Sequence, residues 1–96
     1  MKVFYIDIDG TLTNAPLDRW GKVYQDRIDK VKELCKNNTV IIWSAGGWKY
    51  AINFCVKYNI TPTVILPKPD FIVDDTPSIR TVGIIKYLKP EDIIKL

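Results

Sequence analysis

Aspartates stand in two close pairs along this 96-residue chain, and each pair directly follows an apolar run. Asp7 and Asp9 end the segment KVFYIDID, and Asp74 and Asp75 follow the apolar residues 71–73. Carboxylates about 4 Å apart repel one another by about 1 to 4 kcal/mol per pair in a wet site. A divalent cation offsets such repulsion, and ligands that offer only oxygen select Mg²⁺ or Ca²⁺. Asp7 and Asp74 are therefore candidate ligands of such a cation.

Each pair also has a simpler interpretation as a turn that ends a strand, because Asp and Gly are common in turns. A calcium loop of the EF-hand type is a sharper alternative, but Gly10 stands at the fourth position rather than the sixth, and no helix precedes it. Two pairs that each follow an apolar strand favour the metal site over two unrelated turns.

The chain contains no histidine. This excludes Ser-His-Asp and Cys-His catalysis, and it excludes zinc or iron held by histidine. The two cysteines, Cys35 and Cys55, form no CxxC pair and support neither a zinc site nor a redox dithiol. We expect both to be reduced thiols on the apolar sides of helices. The chemistry must then rely on carboxylates, lysines, hydroxyls or a hard metal ion.

The composition is that of one globular domain over residues 1–96, with 47% hydrophobic and 26% charged residues. No apolar run reaches the roughly 18 residues of a membrane span, and the first ten residues lack the features of a signal peptide. We therefore expect a cytoplasmic protein that does not contact membranes. The net charge of +3 is mild and does not indicate nucleic acid. A basic body around an acidic centre would suit an anionic substrate, although a solvated basic surface is the favoured interpretation of the charge.

Apolar runs alternate with amphipathic segments along the chain. The pattern predicts strands over residues 2–8, 39–43, 63–66, 70–73 and 81–85, a loop or short hairpin over 11–23, and a helical turn that opens at Pro90. It also predicts two helices, 25–37 with an apolar face of Ile28, Val31 and Leu34, and 47–58 with Trp48, Ile52, Cys55 and Val56. This order predicts an α/β fold with a three-layer, Rossmann-like, mostly parallel sheet, helices on both faces and no cap domain.

Polar residues end three of the predicted strands, namely Asp7 with Asp9, Ser44, and Asp74 with Asp75. Parallel strands end at the same edge of a sheet, and ligands bind outside that edge. The three groups should therefore lie within reach of one another.

The sequence at these strand ends resembles that of the haloacid dehalogenase superfamily. Residues 7–11 (DIDGT) look like its DxDGT signature, and Ser44 is similar to its second motif, a strand-terminal Ser or Thr. Lys68 stands where the third motif, a lone basic residue, would come, and Asp74-Asp75 looks like the fourth. The resemblance covers nearly the whole chain in the right order. It points to a minimal, capless, phosphatase-like member.

The resemblance implies a Mg²⁺-dependent phosphohydrolase that cleaves phosphate monoesters through an aspartyl-phosphate. Asp7 would be the nucleophile, and Asp9 would exchange protons with the leaving oxygen and with water. The phosphate would be held by Ser44, Ala45, Gly46 and Lys68. The cation would be held by Asp7, the backbone carbonyl of Asp9, and Asp74, with Asp75 in support. Because Asp9 supplies a proton, phosphate ester cleavage is favoured over dehalogenation.

The position of Lys68 conflicts with this assignment. It lies six residues before Asp74, so an extended strand between them would place it about 20 Å away, at the wrong end of the sheet. Lys49 and Lys86 are alternative sources of the charge. The same short connection predicts that residues 63–66 do not form a full edge strand that ends at the active edge. The strand should be very short, low in the sheet, or irregular.

The substrate stays open between a phosphorylated small molecule and an exposed phosphate on a macromolecule, with a nucleic-acid end as one option. Trp20, Trp48 and Tyr24 are candidates for an aromatic wall, although the spacing places Trp48 in the core. A neighbouring subunit of a homo-oligomer is an alternative lid. The rival functions are an inactive phosphate- or metal-binding module and a phosphoacceptor switch, against which Asp9 argues because it would speed hydrolysis.

Overall fold

Three parallel strands form the centre of the protein. The computed structural model describes residues 1–14, 22–71, 75 and 89–96 of the chain. Within them the strands are β1 (Val3–Asp7), β2 (Thr39–Ser44) and β3 (Val64–Pro67), in the sheet order β1-β2-β3. The helices are α1 (Gln25–Cys35), α2 (Trp48–Tyr58) and a C-terminal 3₁₀-helix (Pro90–Lys95). The predicted Rossmann-like α/β fold class is confirmed.

One hydrophobic cluster joins the sheet to the helices. Side chains alternate across a strand, and Ile6, Val40 and Ile42 turn the same way into this cluster. Helices α1 and α2, which cross between successive parallel strands, and Ile93 of the 3₁₀-helix contribute to the same cluster. Right-handed crossovers that step in one direction place their helices on one face of the sheet. The described helices therefore form a single layer behind the strands.

Helix α1 follows its predicted pattern. Ile28, Val31 and Leu34 are buried as expected. The helix ends two residues before the predicted boundary, where the side-chain amide of Asn38 donates a hydrogen bond of 3.1 Å to the carbonyl of Leu34. Asn residues compete with the helix for backbone partners, which makes them good helix terminators. Cys35 at its end is only half-buried.

The predicted face of α2 is partly wrong. Cys55 is buried, but the helix also buries Ala51 and Phe54, whereas Trp48 is 52% and Val56 is 71% exposed. Every residue type in this helix except its lysines and asparagine is apolar or aromatic, so hydrophobicity alone does not choose the inward face. The small side chain of Ala51 lets the helix approach the sheet. Trp48 is thereby left at the surface rather than in the core.

Strand β3 is very short, which is the first of the three predicted forms, and it does not lie low in the sheet. It pairs with β2 from Ile41↔Val64 to Ser44↔Pro67, so it ends level with β2 at the carboxyl edge. The prediction derived its height from the short connection to strand 70–73, whereas pairing with β2 fixes it. Pro67 and Pro69 cannot donate to a ladder, and after them Asp70 lies in a bend and Phe71 is outside any strand. Most of the predicted strands 70–73 and 81–85 lies outside the described residues.

The two described ends of the predicted loop or hairpin 11–23 lie side by side, while residues 15–21 are outside the described residues. The amide of Asn14 donates to the carbonyl of Lys22 over 2.9 Å, and the amide of Tyr24 donates to the carbonyl of Leu12 over 2.9 Å. Thr13 and Val23 form an antiparallel bridge between them. Residues 12–14 and 22–24 are therefore paired in antiparallel fashion close to the end of β1. None of the described helices has the length and apolar composition that a membrane crossing requires.

The two cysteine thiols should make the protein less stable as the pH rises above about 9. Burial, with Cys35 close by, raises the pKa of Cys55 from 9.0 to about 12. Burial also raises the pKa of Cys35. Above pH 9 the unfolded chain loses a proton from Cys55 that the native chain keeps. The free energy of unfolding should therefore fall with rising pH, by up to about 1.4 kcal/mol per pH unit from this thiol.

Urea unfolding at pH 8 and pH 10 measures this effect, with Cys55→Ala as the control. The substitution removes the titrating thiol, so the variant should lose less stability between the two pH values than the native protein. Equal losses in the two proteins would contradict the buried, protonated state of Cys55.

Candidate active site

The carboxyl edge of the sheet brings together polar groups from all three strands. Asp7, the last residue of β1, pairs in register with Trp43, and Ser44 ends β2 beside Pro67. Backbone pairing thus places Asp7, Ser44 and the residue after β3, which is Lys68, along one line. The sequence prediction that Asp7 and Ser44 share an edge is confirmed.

Lys68 reaches Asp7, contrary to the distance argument from the sequence. Its Nζ lies 3.2 Å from Oδ1 of Asp7. Its backbone N–H donates to the carbonyl of Ser44 over 3.0 Å, which continues the β2–β3 ladder by one residue. Lys68 lies at this edge, as its assignment to the site required, because it follows directly on β3 and β3 ends there. Asp74, from which the 20 Å separation was estimated, lies outside the described residues. Among the alternatives, Lys86 lies outside the described residues.

Two further contacts fix this ion pair. The hydroxyl of Thr11 donates to Oδ2 of Asp7 over 3.2 Å, so each carboxylate oxygen has a partner. The Nζ of Lys68 also lies 5.8 Å from the centroid of the Trp43 ring, within the range of a cation–π interaction. Trp43 in turn contacts Tyr5 edge to face, with centroids 5.0 Å apart. The side chains of Lys68 and Asp7 remain 38% and 28% exposed, so a substrate has access to both.

A tight turn after β1 carries Asp9. The carbonyl of Ile8 accepts hydrogen bonds from the amides of Thr11, Leu12 and Thr13 at 3.1, 2.7 and 3.2 Å. Gly10 makes this turn possible with φ of +82°, a conformation that other residues rarely adopt. Because Ile8 is fully buried, the turn is anchored in the core. Asp9 is thereby held next to the strand end that presents Asp7.

The carboxylate of Asp9 accepts hydrogen bonds from two hydroxyl groups. The hydroxyl of Tyr50, on α2, lies 2.5 Å from Oδ1 of Asp9. The hydroxyl of Thr13 lies 3.5 Å from the same oxygen. These contacts connect the turn after β1 to the helix that follows β2.

The loop from Ser44 to Gly47 combines a buried hydroxyl with open backbone. Ser44 is 1% exposed, and its Oγ accepts the amide of Gly46 over 3.0 Å. The hydroxyl hydrogen therefore points elsewhere. Gly47 is the N-cap of the following helix, and no side-chain hydrogen bond caps that helix. Ala45 and Gly46 are exposed beside it, at the positions predicted to bind phosphate.

The predicted metal ligands are only partly described. Asp7 and Asp9 lie at this edge, Asp75 is exposed, and Asp74 lies outside the described residues. Within residues 1–14, 22–71, 75 and 89–96, no three carboxylates or thiols are grouped so that they could hold a metal ion. The proposed aromatic wall is also incomplete, since Trp20 is not described and Tyr24 packs under the guanidinium of Arg27 at 4.0 Å.

Tyr50, Trp43 and Thr13 were not among the residues predicted to act in the site. Trp43 was included only in an apolar strand, and Tyr50 only in a helix. A tyrosine three residues after the glycine that caps a helix is a weak signal by itself. Its partner Asp9 lies 41 residues earlier in the chain, so only the folded backbone brings the two together.

Comparison with known proteins supports the fold alone. The sequence matches no protein-family model and no curated protein. The structure is similar to the crystal structure of a structural-genomics target from Vibrio cholerae, with a TM-score of 0.59 and 20% sequence identity over 99% of this chain and 98% of that one. At this identity the likeness concerns the backbone and does not transfer an activity.

Gly46 and Gly47 should respond differently to substitution by Ala. Gly47 has φ of +96° and ψ of 169°, a region that is nearly restricted to Gly, so Gly47→Ala should lower the free energy of unfolding by about 1 to 3 kcal/mol. A Cβ at Gly46 would lie 3.1 Å from Cδ2 of Tyr50 and 3.3 Å from Oγ of Ser44. Gly46→Ala should therefore displace the Tyr50 ring with a smaller loss of stability.

Urea unfolding measures the stabilities, and the ¹H–¹³C NMR signals of the Tyr50 ring measure its displacement. Each variant is the control for the other, because the two positions are adjacent and receive the same methyl group. The site geometry would be contradicted if Gly46→Ala left the Tyr50 signals at their native positions.

Proposed function

We propose that the protein is a Mg²⁺-dependent phosphohydrolase of the haloacid dehalogenase type, with Asp7 as the nucleophile. The observation that carries the proposal is the convergence of Asp7, Lys68 and the Ser44 loop at the carboxyl edge of a parallel sheet. The Asp7 carboxylate has the Lys68 ammonium group 3.2 Å away and the buried hydroxyl of Ser44 on the next strand. This arrangement is suited to reaction with a phosphate monoester. The carboxylate of Asp7 can attack phosphorus, while Lys68 and the Ser44 loop hold the phosphoryl oxygens.

The first half of the reaction is carried by Asp7 and Asp9. A carboxylate oxygen of Asp7 forms a bond to phosphorus, and the bond from phosphorus to the leaving oxygen breaks. That oxygen keeps the electron pair and takes a proton from the carboxyl of Asp9. The phosphoryl group is then bound covalently to Asp7.

The second half releases the phosphate. Asp9, now ionised, takes a proton from a water molecule, and the water oxygen bonds to phosphorus. The bond from phosphorus to Asp7 breaks, and the carboxylate is regenerated together with inorganic phosphate. Lys68 and the backbone amide of Ala45 neutralise charge on the phosphoryl oxygens throughout.

Mg²⁺ fits the donor chemistry at this edge, because Asp7 and Asp9 offer hard oxygen atoms and the chain has no histidine. The residues that would hold it are Asp7, the backbone carbonyl of Asp9, and Asp74, with Asp75 in support. When bound, the ion screens the nucleophile from the negative charge of the phosphate. The natural substrate is a phosphorylated small molecule or an exposed phosphate on a macromolecule.

The proposal is tested by trapping the covalent intermediate on Asp7. The native protein should hydrolyse an aryl phosphate with Mg²⁺ and lose turnover with excess chelator. Rapid acid quenching with ³²P-labelled substrate should leave label on the protein that hydroxylamine removes, as expected for an acyl phosphate. Asp7→Asn should show neither turnover nor label, because the amide is not a nucleophile.

Asp29→Asn is the matched control. Asp29 is exposed on α1 and accepts a hydrogen bond from Gln25, so this variant should keep both label and turnover. Label without turnover would favour the phosphoacceptor switch. Neither label nor turnover with aryl, sugar and nucleic-acid phosphates would favour an inactive binding module.

Lys68→Met should lower the activity strongly while changing the stability little. Losing a cation that holds the transferred phosphoryl group should lower kcat/KM by about 10²-fold. The ion pair with Asp7 is partly exposed, and such pairs contribute at most about 1 kcal/mol to stability. Kinetics with the aryl phosphate and urea unfolding measure the two effects.

Lys36→Met is the control, because Lys36 is an exposed lysine at the end of α1. Both kinetics and stability should stay near the native values in this variant. A Lys68→Met protein with native kcat/KM would remove Lys68 from the proposed mechanism.

A further inference from the structure

The hydrogen bond between Tyr50 and Asp9 links the proposed acid–base group to a helix outside the sequence motif. The hydroxyl of Tyr50 donates to Oδ1 of Asp9 over 2.5 Å, across 41 residues of sequence. Tyr50 is half-buried, near the start of α2. Nothing in the mechanism above assigns a role to this hydroxyl.

The local backbone makes room for this contact. The position of a Cβ at Gly46 would be 3.1 Å from Cδ2 and 3.4 Å from Cγ of Tyr50, closer than ordinary van der Waals contact. The ring therefore lies over Gly46, and a larger residue would push it aside. Gly47 begins α2, which places Tyr50 within the first turn of the helix, facing the turn after β1.

The contact also selects one atom of Asp9. Tyr50 and Thr13 both donate to Oδ1, at 2.5 and 3.5 Å. A protonated carboxyl carries its hydrogen on one oxygen and accepts hydrogen bonds with the other. Donation to Oδ1 therefore directs the transferred proton to Oδ2. It also holds the carboxyl plane in one orientation, as proton transfer requires.

We propose that Tyr50 is a positioning residue, which orients Asp9 through Oδ1 so that Oδ2 exchanges the proton with the leaving oxygen and with water. This inference rests on the proposed phosphohydrolase function. In the first half-reaction the Oδ2–H bond breaks as the phosphorus–oxygen bond of the substrate breaks, and the hydrogen ends on the leaving oxygen. In the second half-reaction the same oxygen takes a proton from the attacking water. Tyr50 keeps its own proton in both steps.

The test compares native protein and Tyr50→Phe across substrates whose leaving groups differ in basicity. The value of kcat/KM reports the steps up to cleavage of the phosphate ester. p-Nitrophenolate leaves with little help from an acid, whereas an alkoxide needs a proton. Tyr50→Phe should therefore lower kcat/KM less than about 3-fold for p-nitrophenyl phosphate and about 10-fold or more for an alkyl phosphate, a fraction of the 10² to 10⁴-fold that general acid catalysis supplies.

A double-mutant comparison decides whether Tyr50 acts through Asp9. In an Asp9→Asn background, Tyr50→Phe should have less than about a 2-fold further effect on any substrate, because the group it orients no longer donates a proton. Tyr58→Phe removes a hydroxyl further along α2 and should leave the whole series at native values.

Two results overturn the inference while the proposed function stands. One is an equal loss for all leaving groups in Tyr50→Phe, as a general disturbance of the site would produce. The other is an undiminished effect of Tyr50→Phe in the Asp9→Asn background. If the native protein forms no phosphoenzyme from any substrate of the series, the proposed function and the inference on Tyr50 both fail.

Discussion

The parallel register of the three strands is the constraint on which the site depends. Asp7 pairs opposite Trp43, and Ser44 pairs opposite Pro67, so a shift of one residue in either pairing would turn a key side chain to the other face. The register is held by the core rather than by the site. Ile6, Val40 and Ile42 fill one cluster with the helices, and a slipped strand would expose them. Burial of these apolar side chains thereby fixes the positions of Asp7 and Ser44, although neither polar side chain gains from the hydrophobic effect itself.

The polar contacts at the edge are partly exposed, and each adds little to stability. An ion pair such as that of Lys68 with Asp7 contributes at most about 1 kcal/mol. Its geometry comes instead from the backbone, since the amide of Lys68 donates to the carbonyl of Ser44. A site built in this way can be tuned for chemistry without unfolding the protein. The proposed aspartyl-phosphate mechanism needs such a site, because Asp7 and Lys68 must part from each other to engage the phosphoryl group and then return to their starting positions.

The errors of the sequence analysis share one physical cause. Trp48 was placed in the core from helical spacing, but it is half exposed because Ala51 and Phe54 face the sheet. The spacing of apolar residues in α2 allows more than one buried face, and the fit of the side chains against the neighbouring strands decides which face is buried. For Lys68, the short connection to Asp74 conflicted with its assignment to the site, but the pairing of β3 with β2 decides its height and brings it to Asp7. In both cases a local argument was used for a quantity that contacts between distant segments determine.

For the part of the chain that the structure describes, the sequence by itself determined the order of elements, the buried face of α1, the class of fold and the candidate residues at the ends of β1 and β2. These follow from hydrophobic periodicity and strand-end polarity, which are local properties of the chain. Only the tertiary structure decided that Lys68 lies beside Asp7 and that the hydroxyl of Tyr50 meets Asp9. Each of those contacts joins residues more than 40 positions apart. Sequence spacing carries no information on such pairs, because their distance is set by strand register and helix packing.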